Sequence, residues 1–339
     1  MNPVIGIFSV YATKDVLFSA AVLILVIKLF QFQEFMEADE VVGGGYWIQL
    51  CIVSLLVVFL RNNGSFIIVG TLVYLLVKYR KVWKQLATVF VIVAGIMILQ
   101  KAVLFPMLQV REGSFAESLS IPLQQVGQAV VDDGSMTSQE RAYLDELLPL
   151  ERMKEVYQAG YTDPIKFDEQ FDDALLNEDK AQFLKVWFGM LPDNFGSYVK
   201  AYLLQTAGYW DISQTDSLTT YGVVENELGL CQIDVVDAVC GHSLQPVIEK
   251  LILVCRKLPV LCYLTNMAMM LFGSFLSAYL VRRKKRGISW VVPLWISWGT
   301  IMIAAPASCK FRYMLPLYFA LPFVMWITTR YGLRNVDSE

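Results

Sequence analysis

Long apolar runs constrain this chain most strongly. Four lie in its first hundred residues, at Val16–Ile27, Ile48–Leu60, Phe66–Val77 and Leu86–Leu99. A helix that crosses a bilayer needs roughly 20 mainly apolar residues. The sequence contains seven candidates, at 16–33, 46–61, 65–79, 86–106, 258–281, 288–306 and 311–329. With 56% apolar and 17% charged residues, the chain also departs from soluble domains, in which about 25% are charged. We predict an α-helical polytopic membrane protein with about seven membrane helices.

Charge is divided unevenly along the chain. Residues 107–250 contain 24 acidic and 9 basic residues, a net charge of −15, whereas the remainder carries +12. A segment this acidic repels nucleic acid, so nucleic-acid binding is excluded. We predict four membrane helices over 1–106, an acidic and mainly α-helical extracytoplasmic domain over 107–257, and three membrane helices with a short cytoplasmic tail over 258–339.

Basic loops predict the orientation, because Lys and Arg are concentrated in cytoplasmic loops. Such clusters follow the third, fifth and seventh helices, at 78–84, 282–286 and 330–334. If all seven helices span, these clusters share one side. The C-terminus then lies inside, and the N-terminus and residues 107–257 lie outside. The loop at 34–45 also falls on the basic side, yet it is acidic, which does not fit the pattern well.

Helix signals recur in the acidic segment. Thr137 and Glu140 have the spacing of a capping box before an apolar stretch. Asn177 is of a type that caps helices, and we expect it to begin a helix that runs to about Met190. The segment is therefore predicted to be mostly helical.

The acidic segment contains two of the six cysteines and the one histidine of the chain, too few for a His-rich metal site. Cys231 and Cys240 either form a disulfide, which an outside location permits, or remain two thiols. The one histidine, His242, is expected to be structural or at the surface. An amphipathic stretch at Pro246–Arg256 is expected on the membrane surface before the fifth helix.

Polar residues gather at one expected depth, near the outer membrane face. They are Lys14 and Asp15 at the first helix, Arg61, Asn62 and Asn63 at the tip of a hairpin, Lys101 near the end of the fourth helix, and Lys310 and Arg312 between the last two. Hairpin helices of about 15 residues span roughly 22 Å, less than the apolar core of about 30 Å, so the tip should lie below the outer surface. Polar groups at such depth are functional candidates.

Each of these residues also has a purely structural interpretation. Asp15 at a helix start complements the helix dipole. Arg61 and Lys101 can extend to the interface along their apolar stems, and so can Lys310 and Arg312. In a functional interpretation, Asp15, the only carboxylate expected at this depth, deprotonates a hydroxyl or holds a divalent metal. An arginine flanked by asparagine or lysine suits a phosphate.

The sequence resembles an uncharacterised bacterial family of multi-pass membrane proteins related to GT-C membrane glycosyltransferases. The likeness covers nearly the full length and is carried by Asn2–Ser9, Thr13–Ser19, Leu60–Gly64, Ile121–Gln125, Gly160–Pro164, Tyr202–Thr206, Gly208–Trp210 and Phe311–Tyr313. Asp15 resembles the second acidic position of the aminoarabinose and protein mannosyl transferase types. There an Asp stands at the outer start of a helix.

This resemblance implies sugar transfer at the outer face, from a polyprenyl-phosphate donor to a glycan or envelope acceptor, with inversion. Asp15 would act as the catalytic residue, on the acceptor or on a divalent metal such as Mg or Mn. The lipid phosphate would be bound by Arg61, Asn62, Asn63, Lys310 and Arg312, with Lys14 and Lys101 as further candidates.

The resemblance also predicts material upstream of Met1, because GT-C enzymes carry a first acidic residue in an earlier outer loop. The chain is expected to be the C-terminal part of such an enzyme, inactive alone or completed by a second gene. An outward N-terminus without a signal peptide fits this expectation, and a reverse anchor is the alternative.

Two other functions stay open at the level of sequence. One is a non-enzymatic receptor or envelope-assembly protein that binds through its outer domain, with the main pocket in that domain. The other is a transporter, against which the chain shows no internal repeat.

Overall fold

The computed structural model consists mainly of helices. It describes residues 14–110, 113–214, 266–304 and 310–333, with single positions at 250, 254 and 258. Within these ranges no strand occurs, and one isolated bridge joins Gln158 to Tyr161. The predicted helical class is therefore confirmed. The buried apolar residues form two separate clusters, one in a bundle of long helices and one in the acidic segment.

The first four helices lie where the apolar runs predict them. They are α1 (Lys14–Glu37), α2 (Gly44–Leu60), α3 (Gly64–Lys78) and α4 (Trp83–Leu99), the last of which continues through a π turn at Gln100–Leu104 to Met107. α1 is central to the bundle and packs against α2. Its side chains Val22, Val26 and Leu29 are fully buried, because apolar positions face neighbours on several sides.

The turn between α2 and α3 is unusually close. The backbone N–H of Gly64 donates to the carbonyl of Arg61 at 2.9 Å. A Cβ atom on Gly64 would lie 2.0 Å from the carbonyl oxygen of Val57. Only glycine fits this approach, so the hairpin tip at Arg61–Asn63 is held tightly between the two helices.

The acidic segment forms a second helical unit over residues 113–214, which we call the outer unit after its predicted side of the membrane. Its helices are α5 (Ser120–Val131), α6 (Ser138–Leu147), α7 (Leu150–Val156), α8 (Asp163–Lys166), α9 (Asp173–Glu178), α10 (Lys180–Met190) and α11 (Phe195–Thr206). α11 packs along α5. The predicted capping box is confirmed before α6, where Thr137 Oγ1 accepts from the Glu140 N–H at 3.3 Å and Glu140 Oε2 accepts from the Thr137 N–H at 2.8 Å.

The predicted helix start at Asn177 is wrong. Asn177 lies inside α9, where its Nδ2 donates to the Asp173 carbonyl at 2.6 Å. Helix α9 ends at Glu178. Asp179 then caps α10, because its side chain accepts from the Gln182 N–H at 3.0 Å. Asn and Asp are both good capping residues, so composition alone could not choose between them.

Three segments that carry the family resemblance meet in a buried polar network. Gln205 in α11 donates through Nε2 to Thr162 Oγ1 and to Ser120 Oγ, both at 3.0 Å. Thr162 Oγ1 lies 3.0 Å from the Ser120 carbonyl oxygen, and Gln124 Nε2 donates to the Gln158 carbonyl at 2.7 Å. These residues therefore hold the outer unit together, because a buried polar group without partners is costly.

Three more helices complete the bundle. They are α12 (Met267–Arg283), α13 (Val292–Ala304) and α14 (Leu315–Ile327), with 3-10 turns at Ser289–Val291 and Phe311–Tyr313 and a final π turn at Thr328–Leu333. α14 packs against α1, and α13 packs against α3. The outer unit is tied to this bundle by Tyr202, whose hydroxyl donates to the Met302 carbonyl at 3.2 Å.

Several predictions fall outside the described residues. They concern the N-terminus at 1–13, the start of the fifth predicted span at 259–265, Cys231 and Cys240, His242, and most of the stretch Pro246–Arg256.

Two helices are long and apolar enough to cross a membrane, by length and composition. They are Lys14–Glu37 and the continuous helix Arg80–Met107. Gly44–Leu60, Gly64–Lys78 and Ser289–Ala304 are apolar but shorter. About seven membrane helices were expected, the second and third of them short, and two helices in the described part of the chain meet the length of a full span. In the helix Arg80–Met107, only 11% of the most apolar 18-residue stretch is buried. A long apolar surface of this helix therefore faces away from the bundle.

The acidic residues at the end of α1 and in the loop after it have a structural explanation. Glu34 and Glu37 both pair with Arg286, the latter at 3.0 Å between Nη1 and Oε2. Asp39 Oδ1 lies 2.7 Å from Lys81 Nζ. The loop that departs from the basic pattern therefore neutralises cations from two other loops. All three loops lie together at one end of the bundle.

Substituting Gly64 by Ala is expected to destabilise the protein by about 3 kcal/mol, because the added Cβ overlaps the Val57 carbonyl. Gly95→Ala in α4 is the matched control, since a Cβ there meets nothing within 4 Å and alanine favours a helix. Thermal unfolding of the purified protein in detergent measures both. Equal melting temperatures for the two variants would contradict the close turn.

Candidate functional site

A cavity of about 540 Å³ lies between the bundle and the outer unit. Its walls come from the start of α1, the α2–α3 tip, α13, the turn before α14, and the 3-10 turn Phe115–Ser118 of the outer unit. Six of the eight sequence-predicted site residues line it, namely Lys14, Asp15, Arg61, Asn62, Asn63 and Arg312. Residues distant in sequence therefore share one site, as their common predicted depth required.

Asp15 and Arg61 form a shielded ion pair at this cavity. Arg61 Nη1 lies 2.8 Å from Asp15 Oδ1, and the two side chains are 15% and 11% exposed, respectively. Asp15 stands in the first turn of α1, so its charge also complements the helix dipole. The cap interpretation and the ion pair are thus compatible, and the pair joins α1 to the hairpin tip.

Tyr313 brings two guanidinium groups together. Its ring centre lies 4.7 Å from the Arg61 guanidinium carbon and 5.0 Å from that of Arg312. Arg312 Nη2 also donates to the Tyr313 hydroxyl at 3.1 Å. An aromatic face attracts cations, so this ring allows two like charges to lie side by side. Sequence reasoning gave Tyr313 no role at the site.

Asn63 fixes the hairpin tip to α13. Its Nδ2 donates to Thr300 Oγ1 at 3.3 Å. Its Oδ1 is buried and has no hydrogen-bond partner among the residues described. Buried acceptors of this kind usually find a partner, and this one belongs to a residue that lines the cavity.

Two predicted site residues do not line the cavity. Lys101 is exposed in the π turn beyond α4. The buried residues of α4 are Leu86, Val89 and Val93, so its far end has left the bundle. Lys310 Nζ instead lies 4.5 Å from the ring centre of Tyr161, in the outer unit.

Glu117 is a cavity residue that the sequence did not reveal. It reaches the site from the outer unit, so the expectation that Asp15 is the only carboxylate here is wrong. Glu117 Oε2 lies 2.8 Å from Lys166 Nζ, which also lies 3.0 Å from Asp163 Oδ1. No local pattern marks Glu117, because its position depends on how the outer unit packs on the bundle.

Electrostatic interactions stabilise the charged groups beside Glu117. Burial raises the pKa of Asp163, but hydrogen bonds from Tyr161 and Lys166, with the charge of Lys310, outweigh it and lower the pKa overall. Burial likewise opposes the charge on Lys166, yet its bonds to Glu117 and Asp163 raise its pKa. Both groups are therefore held in their charged forms.

The residues present do not fit a bound metal. No group of three or more His, Cys, Asp or Glu side chains suited to a metal occurs in the described part of the chain. Asp15, the expected ligand for Mg or Mn, is paired with Arg61, whose charge repels a divalent cation. We derive no step through a metal.

Breaking the Asp15–Arg61 pair is expected to cost about 3 kcal/mol in either single variant, Asp15→Asn or Arg61→Gln, because a shielded charge is left alone. The double variant should cost clearly less than the sum of the two. The matched control is the Asp39–Lys81 pair, whose side chains are 81% and 80% exposed. Thermal unfolding in the same detergent measures the double-mutant cycle of each pair. A coupling no larger than that of the control pair would refute the buried pair.

Acid should remove the contribution of Asp163. Its pKa is lowered in the folded state, so its stabilisation is present above the unfolded value of about 3.9 and is lost as pH falls through the folded value. Asp163→Asn should therefore melt below the parent protein at pH 7, and the gap should close below about pH 4. Exposed Asp193→Asn is the control. A gap that does not vary with pH would contradict this assignment.

Comparison with known proteins gives a family but no relative of known activity. Searches of curated proteins and of solved structures found no match. The sequence matches a family of unknown function, DUF6020, over residues 1–339. The match spans the whole chain, so the protein belongs to the DUF6020 family.

Proposed function

We propose that this chain is an integral membrane protein with seven spans, whose cavity opens at the outer face. The support lies in apolar side chains that face away from the bundle, such as Ile48, Val91 and Ile98, which are 64%, 67% and 67% exposed. Exposing apolar area to water costs roughly 25 cal/mol per Å², whereas lipid covers it at no such cost. The basic loops then face the cytoplasm, and the N-terminus and residues 107–257 lie outside.

Within that placement, the function best supported is glycosyl transfer. The chain transfers a sugar from a polyprenyl phosphate to an envelope acceptor. The observation that carries this proposal is the pair of arginines at Tyr313, facing a cavity that also contains two carboxylates.

Binding of the donor follows from the cations of the site. Lys14, Arg61 and Arg312 outnumber Asp15 and Glu117, so the cavity favours an anion. A phosphate monoester or diester matches the planar fork of arginine, and charge-assisted hydrogen bonds are about twice as strong as neutral ones. The apolar surface around the cavity suits a polyprenyl chain lying in the bilayer.

The transfer step then needs a base and a stabilised leaving group. The acceptor hydroxyl attacks the anomeric carbon, the bond from that carbon to the phosphate oxygen breaks, and the phosphate leaves with the electron pair. Arg61 and Arg312 stabilise the departing phosphate. When Arg61 turns to the phosphate, the Asp15 carboxylate is released from its partner and takes the hydroxyl proton. Glu117, on the opposite wall, orients the acceptor.

Binding of a short-chain polyprenyl-phosphate sugar to the protein in nanodiscs tests the proposal. Arg61→Gln and Arg312→Gln should each weaken binding about 10-fold or more, because each removes a charge-assisted contact. Lys101→Gln is the matched control, since Lys101 is exposed and away from the cavity. Asp15→Asn should retain binding within a few-fold and abolish transfer wherever transfer is measured.

Two results would refute this proposal. One is equal binding by the Arg61→Gln, Arg312→Gln and Lys101→Gln variants. The other is an envelope glycan that binds to the parent protein while the polyprenyl-phosphate sugar does not, which would favour the alternative, a receptor that binds through its outer domain.

A further inference from the structure

A second cavity lies at the opposite end of the bundle. It measures about 520 Å³ and is formed by the end of α1, the link between α3 and α4, and the loop between α12 and α13. Its charged lining consists of Lys78, Arg80, Lys81, Arg282, Lys285 and Glu37. Two loops that are far apart in sequence thus contribute five cations to one concave surface.

The single carboxylate of this cavity does not neutralise the cations. Glu37 Oε2 lies 3.0 Å from Arg286 Nη1, and Glu37 Oε1 accepts from the Gly287 N–H at 2.6 Å. Both carboxylate oxygens of Glu37 therefore contact Arg286 and Gly287, which are not among the five cations of the cavity. Lys81 is the one member paired with an acid, at 2.7 Å from Asp39.

The remaining cations are available for an anion. Lys78 Nζ donates to neutral oxygens only, those of Ser289 at 2.9 Å and Tyr74 at 3.1 Å. Arg80, Arg282 and Lys285 are exposed, and their side chains form no hydrogen bond or ion pair with the residues described. Like charges held in a concave surface create a strong positive potential that attracts anions.

The apolar part of the lining points to a lipid as the source of that anion. Met36 and Val77 also line the cavity. Val77 is 67% exposed, on a face of α3 that continues the apolar outer surface of the bundle. A soluble anion gains nothing from this surface, whereas a phospholipid places its phosphate among the cations and its acyl chains along Val77.

We propose that this cavity binds the phosphate headgroup of an anionic phospholipid from the cytoplasmic leaflet. The inference rests on the membrane placement proposed above but not on the glycosyl transfer. Each Lys or Arg near a membrane surface strengthens attraction to anionic lipid about fivefold. Three such residues together amount to about a 100-fold preference.

Native mass spectrometry on nanodiscs of equimolar phosphatidylcholine and phosphatidylglycerol tests the site. The triple variant Arg80→Gln, Arg282→Gln, Lys285→Gln should lose on the order of 100-fold in retained phosphatidylglycerol relative to phosphatidylcholine. The matched control is Lys84→Gln, Arg283→Gln, Lys284→Gln. This control removes the same charge at the same end of the bundle, from residues that do not line the cavity. The control should retain the lipid within a few-fold.

Three outcomes would overturn the proposal. Equal loss in both triple variants would indicate a diffuse surface potential rather than a site. Displacement of phosphatidylglycerol by millimolar inorganic pyrophosphate would identify a soluble anion as the ligand. Failure of the protein to enter nanodiscs would remove the membrane placement itself. Loss of sugar-donor binding at the outer cavity would leave this lipid measurement unchanged, so the two proposals fail separately.

Discussion

The ion pair between Asp15 and Arg61 organises the end of the bundle where the cavity lies. At 2.8 Å and largely shielded from solvent, it fastens the first turn of α1 to the tip of the α2–α3 hairpin. Arg61 then meets Tyr313, which brings the turn before α14 to the same point. Three parts of the chain are therefore placed by one charged contact, and the cavity takes its shape and charge from it.

Much of the bundle followed from apolar periodicity and length, since α1 to α4 begin and end close to the predicted residues. The depth argument also gathered Asp15, Arg61 and Arg312, because hairpin length limits where the tip can lie. It failed for Lys101 and Lys310, whose directions depend on where α4 leaves the bundle and on contact with Tyr161. Glu117 lay beyond such reasoning, because it enters the site only through tertiary packing.

The family resemblance turns out to have two kinds of physical basis. Leu60–Gly64 and Phe311–Tyr313 lie at the cavity, where Gly64 permits the turn and Tyr313 holds the arginines. The segments around Gln124, Thr162 and Gln205 instead share the buried network of the outer unit. A motif in a sequence can thus mark a structural bond as readily as a reactive group.

The short hairpin has a consequence for how the protein is made. Helices α2 and α3 contain 17 and 15 residues, fewer than the roughly 20 of a typical membrane helix, and a tight turn joins them. In the proposed membrane placement they enter the bilayer as one unit, which carries the guanidinium of Arg61 into an apolar layer at a cost of about 3 kcal/mol. Because α1 is synthesised earlier, that placement makes Asp15 available to pair with this charge. The ion pair then holds the inserted hairpin against α1.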